Sequence, residues 1–577
     1  MCGIAGAIGD YAQAASVARM TALLAHRGPD DSGLLELPGA VLGHRRLAIL
    51  DLSAAGHQPM EFGDYAITYN GELYNFRELR RELGGEFRSD SDTEVLLRLY
   101  ARDGERCLER LHGMFAFAIW DRRRRRLFAA RDRLGIKPFF YRCDAGGLAF
   151  ASELKALRIL KPAEPEPLAL RDYLSYGYVP SPRTAYAGLA QLPPASRLSW
   201  EDGRLTISRW WTPSAQISRR DAASTREELD ALLTTVIREH TLADVPVGLF
   251  LSGGLDSATL AYYLERPRSF TLGFDARERS EAGAARAVAT HLGTVHAELT
   301  AARTGVEEAL ALLPRLFDGP FSDSAAWSNF LISGLARREV VVALSGEGGD
   351  EIFCGYPRYW KAPGARPRPW ARALLPLVPP LSPLAQSLQR RSVGGVERFA
   401  ARLGLLNPQQ YRALVHPRLL VAGDDPYWFY RQHWHEDFEP AQRLRWLDLH
   451  TSLPEALLTK VDRTSMAHSL EVRPPLLDHR LVEFALSIDP RLLIDQRRSR
   501  GKRLLRELMA PRLPPGHLER RKQGFGLPLR RWLQTHPQLL ARVSARLIER
   551  QILRRPIPAT FPKAWGLLAL DSWLEQT

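Results

Sequence analysis

Residues Val245–Ser257 read Val-Pro-Val-Gly-Leu-Phe-Leu-Ser-Gly-Gly-Leu-Asp-Ser. An apolar run that reaches Leu251 and is bounded by a turn is typical of a buried strand. The two glycines after it permit a tight turn and a close approach of the backbone to a ligand. The first N–H groups of the helix predicted over 255–264 lack helical partners and favour an anion. The stretch therefore predicts a strand, a phosphate-binding loop and a helix.

The neighbouring sequence continues this alternation of strands and helices. We predict strands over 269–274 and 339–344, and a helix over 281–292. Ser224-Thr225-Arg226-Glu227 is interpreted as a capping box that starts an earlier helix. Such alternation favours a parallel sheet covered by helices. The remainder is expected to be mostly helical, with the Pro- and Arg-rich segment 361–395 as a surface insertion.

The first two hundred residues are instead rich in strands with short connections. Examples are Ala66–Tyr69, Met114–Trp120 and Leu148–Ala151. The arginine run 122–126 lies between two strand-like segments, so we interpret it as a solvated hairpin turn. We expect an α+β domain over 2–212, in which two antiparallel sheets pack as a sandwich with flanking helices. We expect an α/β domain over 213–577, with a parallel sheet and a helical C-terminal part.

The composition of the chain indicates the cellular compartment and the classes of binding partner that we expect. Of the 577 residues, 45% are hydrophobic and 25% are charged, which is ordinary for a globular protein. No secretory signal pattern and no apolar run of about 20 residues is found, so we expect no membrane association. Despite the net charge of +14, the hairpin interpretation argues against a nucleic-acid partner. The cysteines form no CxxC pair or Cys/His cluster, which fits a reducing, cytoplasmic compartment; they are Cys2, Cys107, Cys143 and Cys354.

The chain begins Met1-Cys2-Gly3-Ile4. If Met1 is removed, Cys2 carries both a thiol and a free α-amine, whose pKa is near 8. The amine can take the thiol proton, so the nucleophile would bring its own base. The alternative is a chance cysteine beside the start codon, with Gly3 merely permitting removal of the methionine.

A second glycine-rich loop, Leu344–Glu351, reads Leu-Ser-Gly-Glu-Gly-Gly-Asp-Glu and follows a predicted strand. Loops at the carboxyl ends of parallel strands converge on a ligand. Asp256 in the first loop would oppose a phosphate unless a divalent cation lay between them. Asp256 and Asp350 therefore predict a Mg²⁺ ion that bridges to a pyrophosphate. The alternatives are an ordinary βα turn and helix capping by Asp350 and Glu351.

Together these segments resemble the glutamine-dependent asparagine synthetase family over essentially the whole chain. The N-terminal part is similar to class II glutamine amidotransferases, and Ser252–Ser257 is similar to the PP-loop of ATP pyrophosphatases. Further matching motifs are Cys2–Gly6, His26–Asp30, Gly43–Ile49, Tyr69–Glu72, Ser91–Glu94, Arg131–Pro138, Met466–Arg473 and Lys522–Gly526.

The resemblance implies a role for each residue of the amidotransferase part. Cys2 would attack the glutamine amide carbon and form a thioester, and the Asn70 side chain and Gly71 N–H would form the oxyanion hole. Arg46 would bind the glutamine carboxylate, and Asp92 its ammonium. From the residues alone, surface salt bridges of Arg46 and Asp92 would be preferred. The implied glutamine-binding residues are Arg46, Leu47, Ile49, Asn70, Gly71, Glu72 and Asp92.

The resemblance also implies that the second domain adenylates a carboxylate with ATP. Asp256 and Asp350 would hold Mg²⁺, and Glu347 would lie beside the acyl-adenylate and take a proton from ammonia. Lys522 would offset the negative charge that builds up on the phosphates. The alternative interpretation is an exposed lysine in a basic stretch. An internal ammonia tunnel between the domains is implied as well. The implied ATP-binding residues are Leu251, Ser252, Gly253, Gly254, Asp256, Ser257, Leu272, Ser345 and Gly346.

Two departures from the family pattern put in doubt which carboxylate accepts the nitrogen. Cys354 replaces a common glycine, and Arg473–Asp478 reads Arg-Pro-Pro-Leu-Leu-Asp in place of Arg-Val-Pro-Phe-Leu-Asp. The leading hypothesis is a ligase that makes asparagine from aspartate, glutamine and ATP, and a homodimer is left open. One alternative is amidation of another carboxylate, such as a cell-surface sugar acid or a secondary metabolite. A basic binding or assembly factor on the same scaffold is disfavoured, because the full catalytic set is present.

Overall fold

The computed structural model describes residues 2–218, 220–274, 281–301, 306–361, 364, 366–420, 425–520, 536–558 and 563–577. Its N-terminal part contains two six-stranded antiparallel sheets, ordered β10-β8-β9-β1-β3-β2 and β12-β11-β7-β6-β5-β4. The strands are β1 Gly3–Gly9, β2 Asp31–Leu37, β3 Ala40–Arg46, β4 Met60–Phe62, β5 Tyr65–Leu73, β6 Gly113–Asp121, β7 Arg126–Arg131, β8 Phe140–Asp144, β9 Gly147–Ala151, β10 Ala190–Gln191, β11 Ser196–Glu201 and β12 Arg204–Arg209.

The two sheets pack face to face because alternate residues of their strands are apolar. Ile4 and Leu42 of the first sheet share a buried cluster with Ala118 and Trp120 of the second. The predicted sandwich is confirmed. The arginine run 122–126 spans the connection between β6 and β7, so the hairpin interpretation is confirmed too.

The C-terminal part contains a five-stranded parallel sheet, ordered β15-β14-β13-β16-β17. β13 lies between β14 and β16, so the loops that leave β13 and β16 begin side by side. The predicted α/β architecture is confirmed, with two further strands, β15 and β17, one at each edge. The strands are β13 Val247–Phe250, β14 Arg268–Phe274, β15 Val295–Ala301, β16 Val342–Leu344 and β17 Glu471–Arg473.

Helices flank both parts and make up most of the described C-terminal residues. They are α1 Ala14–Ala22, α2 Phe76–Leu83, α3 Asp92–Asp103, α4 Leu154–Arg158, α5 Pro167–Tyr176, α6 Ala222–Glu239, α7 Leu255–Tyr263, α8 Ala282–Leu292, α9 Val306–Phe317, α10 Ala325–Ala336, α11 Gly349–Ile352, α12 Pro369–Leu374, α13 Pro383–Ser392, α14 Gly395–Leu403, α15 Pro408–Leu414, α16 Trp428–Gln432, α17 Pro440–His450, α18 Thr459–Met466, α19 His479–Ser487, α20 Pro490–Leu493, α21 Arg503–Met509, α22 Pro537–Glu549 and α23 Ala564–Leu574. Within the described ranges, none of them is both long and apolar enough to cross a bilayer.

One local prediction for the second domain is wrong, and another gains structural detail. The helix α6 is capped by Asp221, whose carboxylate accepts from the main-chain N–H groups of Ala223 and Ser224. The capping box at Ser224 is therefore wrong, because an aspartate three residues earlier satisfies the free N–H groups and complements the helix dipole. The described part of the segment 361–395 contains α12 and α13, which expose apolar side chains such as Leu374 and Leu384, as a surface insertion would.

A small apolar cluster joins the two parts of the molecule. Leu47 and Ile49, which follow β3, pack with Val342 of β16 and Met466 of α18. This contact places the start of β1 close to the parallel sheet of the second part.

Candidate active sites

Cys2 lies immediately before the central strand β1 and is buried. Its main-chain N donates to Asn70 Oδ1 at 2.9 Å, and its carbonyl accepts from Arg27 Nε at 3.1 Å. Burial raises the pKa of the Cys2 thiol. The thiol therefore needs a base to become a nucleophile, a requirement that an adjacent α-amine meets.

Asn70 is fully buried on β5 in the opposite sheet. Its Oδ1 is used by Cys2, while its Nδ2 has no hydrogen-bond partner in the described part of the chain. At the next residue, Gly71, a Cβ would lie 2.4 Å from the carbonyl oxygen of Met114, so a larger residue does not fit. A buried donor without a partner is costly in a folded protein and is expected where a ligand supplies the acceptor.

A cavity beside Cys2 gathers most of the predicted glutamine-binding residues. Asn70 borders it through its bond to Cys2. Sequence reasoning missed the contributions of Gln58 and Tyr69, whose residue types carry no distinctive signal. The predicted residues that line the cavity are Cys2, Arg46, Leu47, Ile49, Gly71, Glu72 and Asp92.

Arg46 also organises the loop that covers this cavity. Its Nη1 donates to the carbonyl of Ser53 at 2.9 Å, and its Nη2 to the carbonyl of Leu50 at 3.3 Å. At Gly56 in this loop, a Cβ would lie 2.0 Å from Arg46 Nη2. The guanidinium is thus held in one orientation at the cavity wall, where its remaining donor capacity suits a carboxylate.

Two buried carboxylates stand in the same cavity. Asp92 Oδ2 accepts from the Tyr69 hydroxyl at 2.8 Å and from the main-chain N of Leu73 at 2.9 Å, and burial raises the pKa of Asp92 to about 6. Glu72 Oε2 accepts from Arg473 Nη2 at 2.9 Å, while its Oε1 has no partner among the described residues. Burial raises the pKa of Glu72 well above its usual range. A bound ammonium would satisfy the free oxygen and favour both charged forms.

A second, larger cavity of about 930 Å³ opens at the carboxyl ends of β13 and β16. It brings together the two glycine-rich loops that the sequence singled out. The predicted residues that line it are Leu251, Ser252, Gly253, Gly254, Asp256, Ser257, Ser345, Gly346, Glu347 and Asp350.

The first loop is braced by its own hydroxyl groups. Ser252 and Ser257 place their Oγ atoms 3.1 Å apart, and Ser257 Oγ donates to the carbonyl of Gly254 at 3.2 Å. Gly253 has φ +70°, and a Cβ there would lie 2.7 Å from Ala284 Cβ. Glycine is required here both by conformation and by the contact with α8.

Asp256 and Asp350 both contact Lys502 in this structure, and the Mg²⁺ ion expected between them stays a prediction. The Lys502 Nζ is 2.6 Å from Asp350 Oδ1 and is also ion-paired with Asp256. Burial alone would lower the pKa of Lys502, but the two carboxylates raise it above its usual range. Across the described ranges, no group of three or more His, Cys, Asp or Glu residues could hold a metal. The two carboxylates still fit Mg²⁺, which takes one or two carboxylates together with substrate phosphates.

One other predicted ATP-site residue lies away from the cavity, and the structure does not describe another. Leu272 lies within β14 and packs with Phe270 and Ile332 in the core, outside the described lining. Lys522 falls outside the described residues. Lys460, which sequence reasoning missed, lines the cavity with its Nζ 3.0 Å from Asp323 Oδ2.

Comparison with known proteins identifies both halves of this arrangement. A family model described as asparagine synthase matches residues 228–575, and one described as a glutamine amidotransferase domain matches residues 1–211. The chain belongs to the asparagine synthase family. The synthetase is therefore an ATP-dependent ligase that uses glutamine as its nitrogen donor.

Individual relatives span most of the synthetase. A Mycobacterium tuberculosis relative is 35% identical over 92% of this chain and 88% of its own. Glutamine-hydrolysing asparagine synthetase 1 of Bacillus subtilis is 32% identical over the same shares, 92% and 88%. Amidase chyE of Penicillium rubens is 28% identical over 85% of this chain and 81% of its own.

Proposed function

We propose that the synthetase makes asparagine from aspartate, with ammonia released from glutamine in the N-terminal part and ATP used in the C-terminal part. The observation that carries this proposal is the pairing of two sites in one chain. One is the cavity beside Cys2, and the other is the cavity between the Ser252–Ser257 loop and the acidic loop.

In the first site, the Cys2 sulfur attacks the glutamine amide carbon while its proton passes to the α-amine of the mature chain. Asn70 Nδ2 and the Gly71 N–H stabilise the oxyanion. The C–N bond breaks, ammonia leaves with the transferred proton, and water hydrolyses the thioester to glutamate. Arg46 binds the carboxylate of glutamine, and Asp92 with Glu72 binds its ammonium. Among the residues that the structure describes, neither Asn70 Nδ2 nor Glu72 Oε1 has a hydrogen-bond partner, and this supports these assignments.

In the second site, the acceptor carboxylate attacks the α-phosphorus of ATP and pyrophosphate leaves. Mg²⁺ held by Asp256 and Asp350 would neutralise phosphate charge. The braced loop 252–257 offers its N–H groups to the pyrophosphate, and Lys502 adds positive charge. Ammonia then attacks the acyl carbon, AMP leaves, and Glu347 takes the proton that ammonia loses.

The choice of aspartate is supported by where the sequence departures lie. Cys354 is buried in the core at φ 59°, a conformation that glycine adopts without strain, and it does not belong to the described lining of the cavity. Leu476 lies behind the acidic loop, 2.9 Å from where a Cβ on Gly349 would stand. Neither departure thus gives a reason for a different acceptor. The likeness to an amidase keeps another carboxylate as the second candidate.

The test is AMP formation in the presence of glutamine and a panel of carboxylic acids. We expect aspartate to give the highest kcat/KM, and rescue of an asparagine auxotroph by the gene. Stronger AMP formation with another acid would favour the second candidate. AMP formation with none of the acids tested, together with an active glutaminase, would contradict the proposed synthesis.

A further inference from the structure

Asp462 of the second domain is linked to the backbone of Cys2 through the side chain of Arg27. Arg27 is fully buried, and its Nε donates to the Cys2 carbonyl at 3.1 Å. The other end of the same guanidinium makes a two-point pair with Asp462 of α18, at 2.9 Å and 3.0 Å. Asp462 and Cys2 are therefore connected by three charge-assisted hydrogen bonds, all of them made by the rigid, planar guanidinium of Arg27.

The contact between Arg27 and Asp462 fixes how the guanidinium of Arg27 is oriented. A bidentate arginine–carboxylate contact restricts both the position and the plane of the guanidinium. Arg27 also donates to Glu153 Oε1 at 2.9 Å, and the same oxygen is 3.0 Å from Arg463 Nη1. Lys137 Nζ stands 4.0 Å from Asp462 Oδ1. Loss of the Asp462 charge would leave Arg27 to share Glu153 with Arg463 and would remove the carboxylate beside Lys137.

The helix α18 that carries Asp462 contacts both cavities. Two residues before Asp462, Lys460 lines the ATP cavity, and at the end of the helix Met466 packs against Leu47 and Ile49 of the glutamine cavity. The preceding residues, Leu453–Leu458, form a π-helical turn. Such turns are frequent at functional sites, where they change the register of a helix.

We propose that Asp462 is a positioning residue for the glutaminase nucleophile, so that the synthetase domain completes the glutaminase site. Asp462 holds Arg27, and Arg27 holds the Cys2 carbonyl and with it the direction of the thiol. This inference rests on the proposed role of Cys2. It adds that the nucleophile is oriented across the domain interface.

The decisive variant is Asp462→Asn in the full-length synthetase. Misplacement of a reacting group by about 1 Å costs on the order of 100-fold in rate, so we expect the glutaminase kcat to fall about 10- to 100-fold. The KM for glutamine should change little, because Arg46, Glu72 and Asp92 do not depend on Arg27. Synthesis from added ammonia should stay within about twofold, since its site lies in the other cavity.

Two matched variants separate positioning from general stability. Asp462→Glu keeps the charge and should recover most of the kcat. Ser469→Ala removes a neighbouring interdomain bond, from Ser469 Oγ to the His26 carbonyl at 2.7 Å, without touching the guanidinium. It should leave the glutaminase unchanged. The rate of Cys2 alkylation by an electrophilic glutamine analogue should follow the kcat across all three variants.

Several outcomes would overturn the inference. One is an unchanged glutaminase kcat in Asp462→Asn, and another is an equal loss of both activities with no recovery in Asp462→Glu. If Asp462→Asn fails to fold, Arg27→Lys decides, because it keeps the positive charge but loses the planar two-point contact with Asp462; an unchanged glutaminase kcat in Arg27→Lys would overturn the inference. Full glutaminase in Cys2→Ala would instead contradict the proposed function, so the two failures are distinguishable.

Discussion

The side-chain oxygen of Asn70 accepts a hydrogen bond of 2.9 Å from the main-chain nitrogen of Cys2. This contact fixes the orientation of the amide, because an oxygen that faces Cys2 leaves the nitrogen on the other side. One side chain thus ties the first strand of one sheet to the facing strand of the other. It also keeps a donor available for the substrate oxygen.

Asn70→Asp separates these two tasks, because the carboxylate retains the acceptor and loses the donor. We expect the glutaminase kcat to fall about 10²- to 10³-fold, the usual effect of removing one oxyanion-hole donor. The measurement is glutamate release at saturating glutamine. Synthesis from added ammonia serves as the internal control and should persist, and an unchanged kcat would exclude Asn70 from the oxyanion hole.

Cys2→Ala should abolish synthesis from glutamine and spare synthesis from added ammonia. The reason is that the thiol lines only the first cavity, whereas ATP is expected in the second. Product formation is measured with each nitrogen source in turn. Equal loss with both sources would contradict the assignment of two separate sites. Full activity in a protein that mass spectrometry shows to retain Met1 would rule out the α-amine as base.

The KM for glutamine should depend on pH through Asp92. Burial raises the pKa of this carboxyl to about 6, and only its ionised form attracts an ammonium. The KM should therefore be lowest above pH 6 and rise as the pH falls through that value, by at most about tenfold per pH unit. Initial rates from pH 5 to 8 test this expectation.

A matched variant tests the cause of that profile. The Tyr69 hydroxyl donates to Asp92 and favours its charged form. Tyr69→Phe removes this donor, so the pKa of Asp92 should rise further and the KM profile should move to higher pH. A profile identical to that of the parent protein would assign the pH dependence to another group.

Asp256→Asn should remove ATP-dependent AMP formation and leave glutaminase largely intact. The amide can still hydrogen-bond but lacks the anionic oxygen that Mg²⁺ prefers. AMP and glutamate are measured separately over a range of Mg²⁺ concentrations. Normal AMP formation at ordinary Mg²⁺ would rule out the metal role of Asp256.

Lys502→Met should also impair AMP formation, by more than about 100-fold, because two partly buried carboxylates would then lose the ammonium that they share in this structure. Arg503→Met offers a control at the next residue, since Arg503 is partly exposed and its ion pair among the described residues is with Glu507, four positions away at 2.8 Å. The control should stay within about twofold. Similar losses in both variants would point to disruption of α21 instead.

Local patterns predicted much of the fold and of both cavities. The strand at Val247–Phe250, its glycine loop and α7 follow from an apolar run and turn residues that are neighbours in sequence. The misplaced start of α6 shows the limit of this reasoning, because Asp221 and Ser224 are both good caps and only the folded backbone selects one.

Long-range partners could not be predicted in this way. Lys502 meets Asp256 across 246 positions, Arg473 meets Glu72 across 401, and Asp462 meets Arg27 across 435. A buried arginine or lysine carries no local sign of its partner. The first pair arises from packing within the second domain and the other two from packing between the domains, and periodicity and spacing encode neither.

The pairing of Arg27 with Asp462 has a consequence for the modular history of such ligases. A glutaminase domain excised from this chain would keep the bond of Arg27 to Glu153 and lose the two-point contact with Asp462 that fixes the plane of the guanidinium. Exchange of this domain between ligases, by recombination or in the laboratory, would therefore succeed only where the recipient supplies a carboxylate at the same place. The chimaeras that are active should be those that contain both Arg27 and a carboxylate at the position of Asp462.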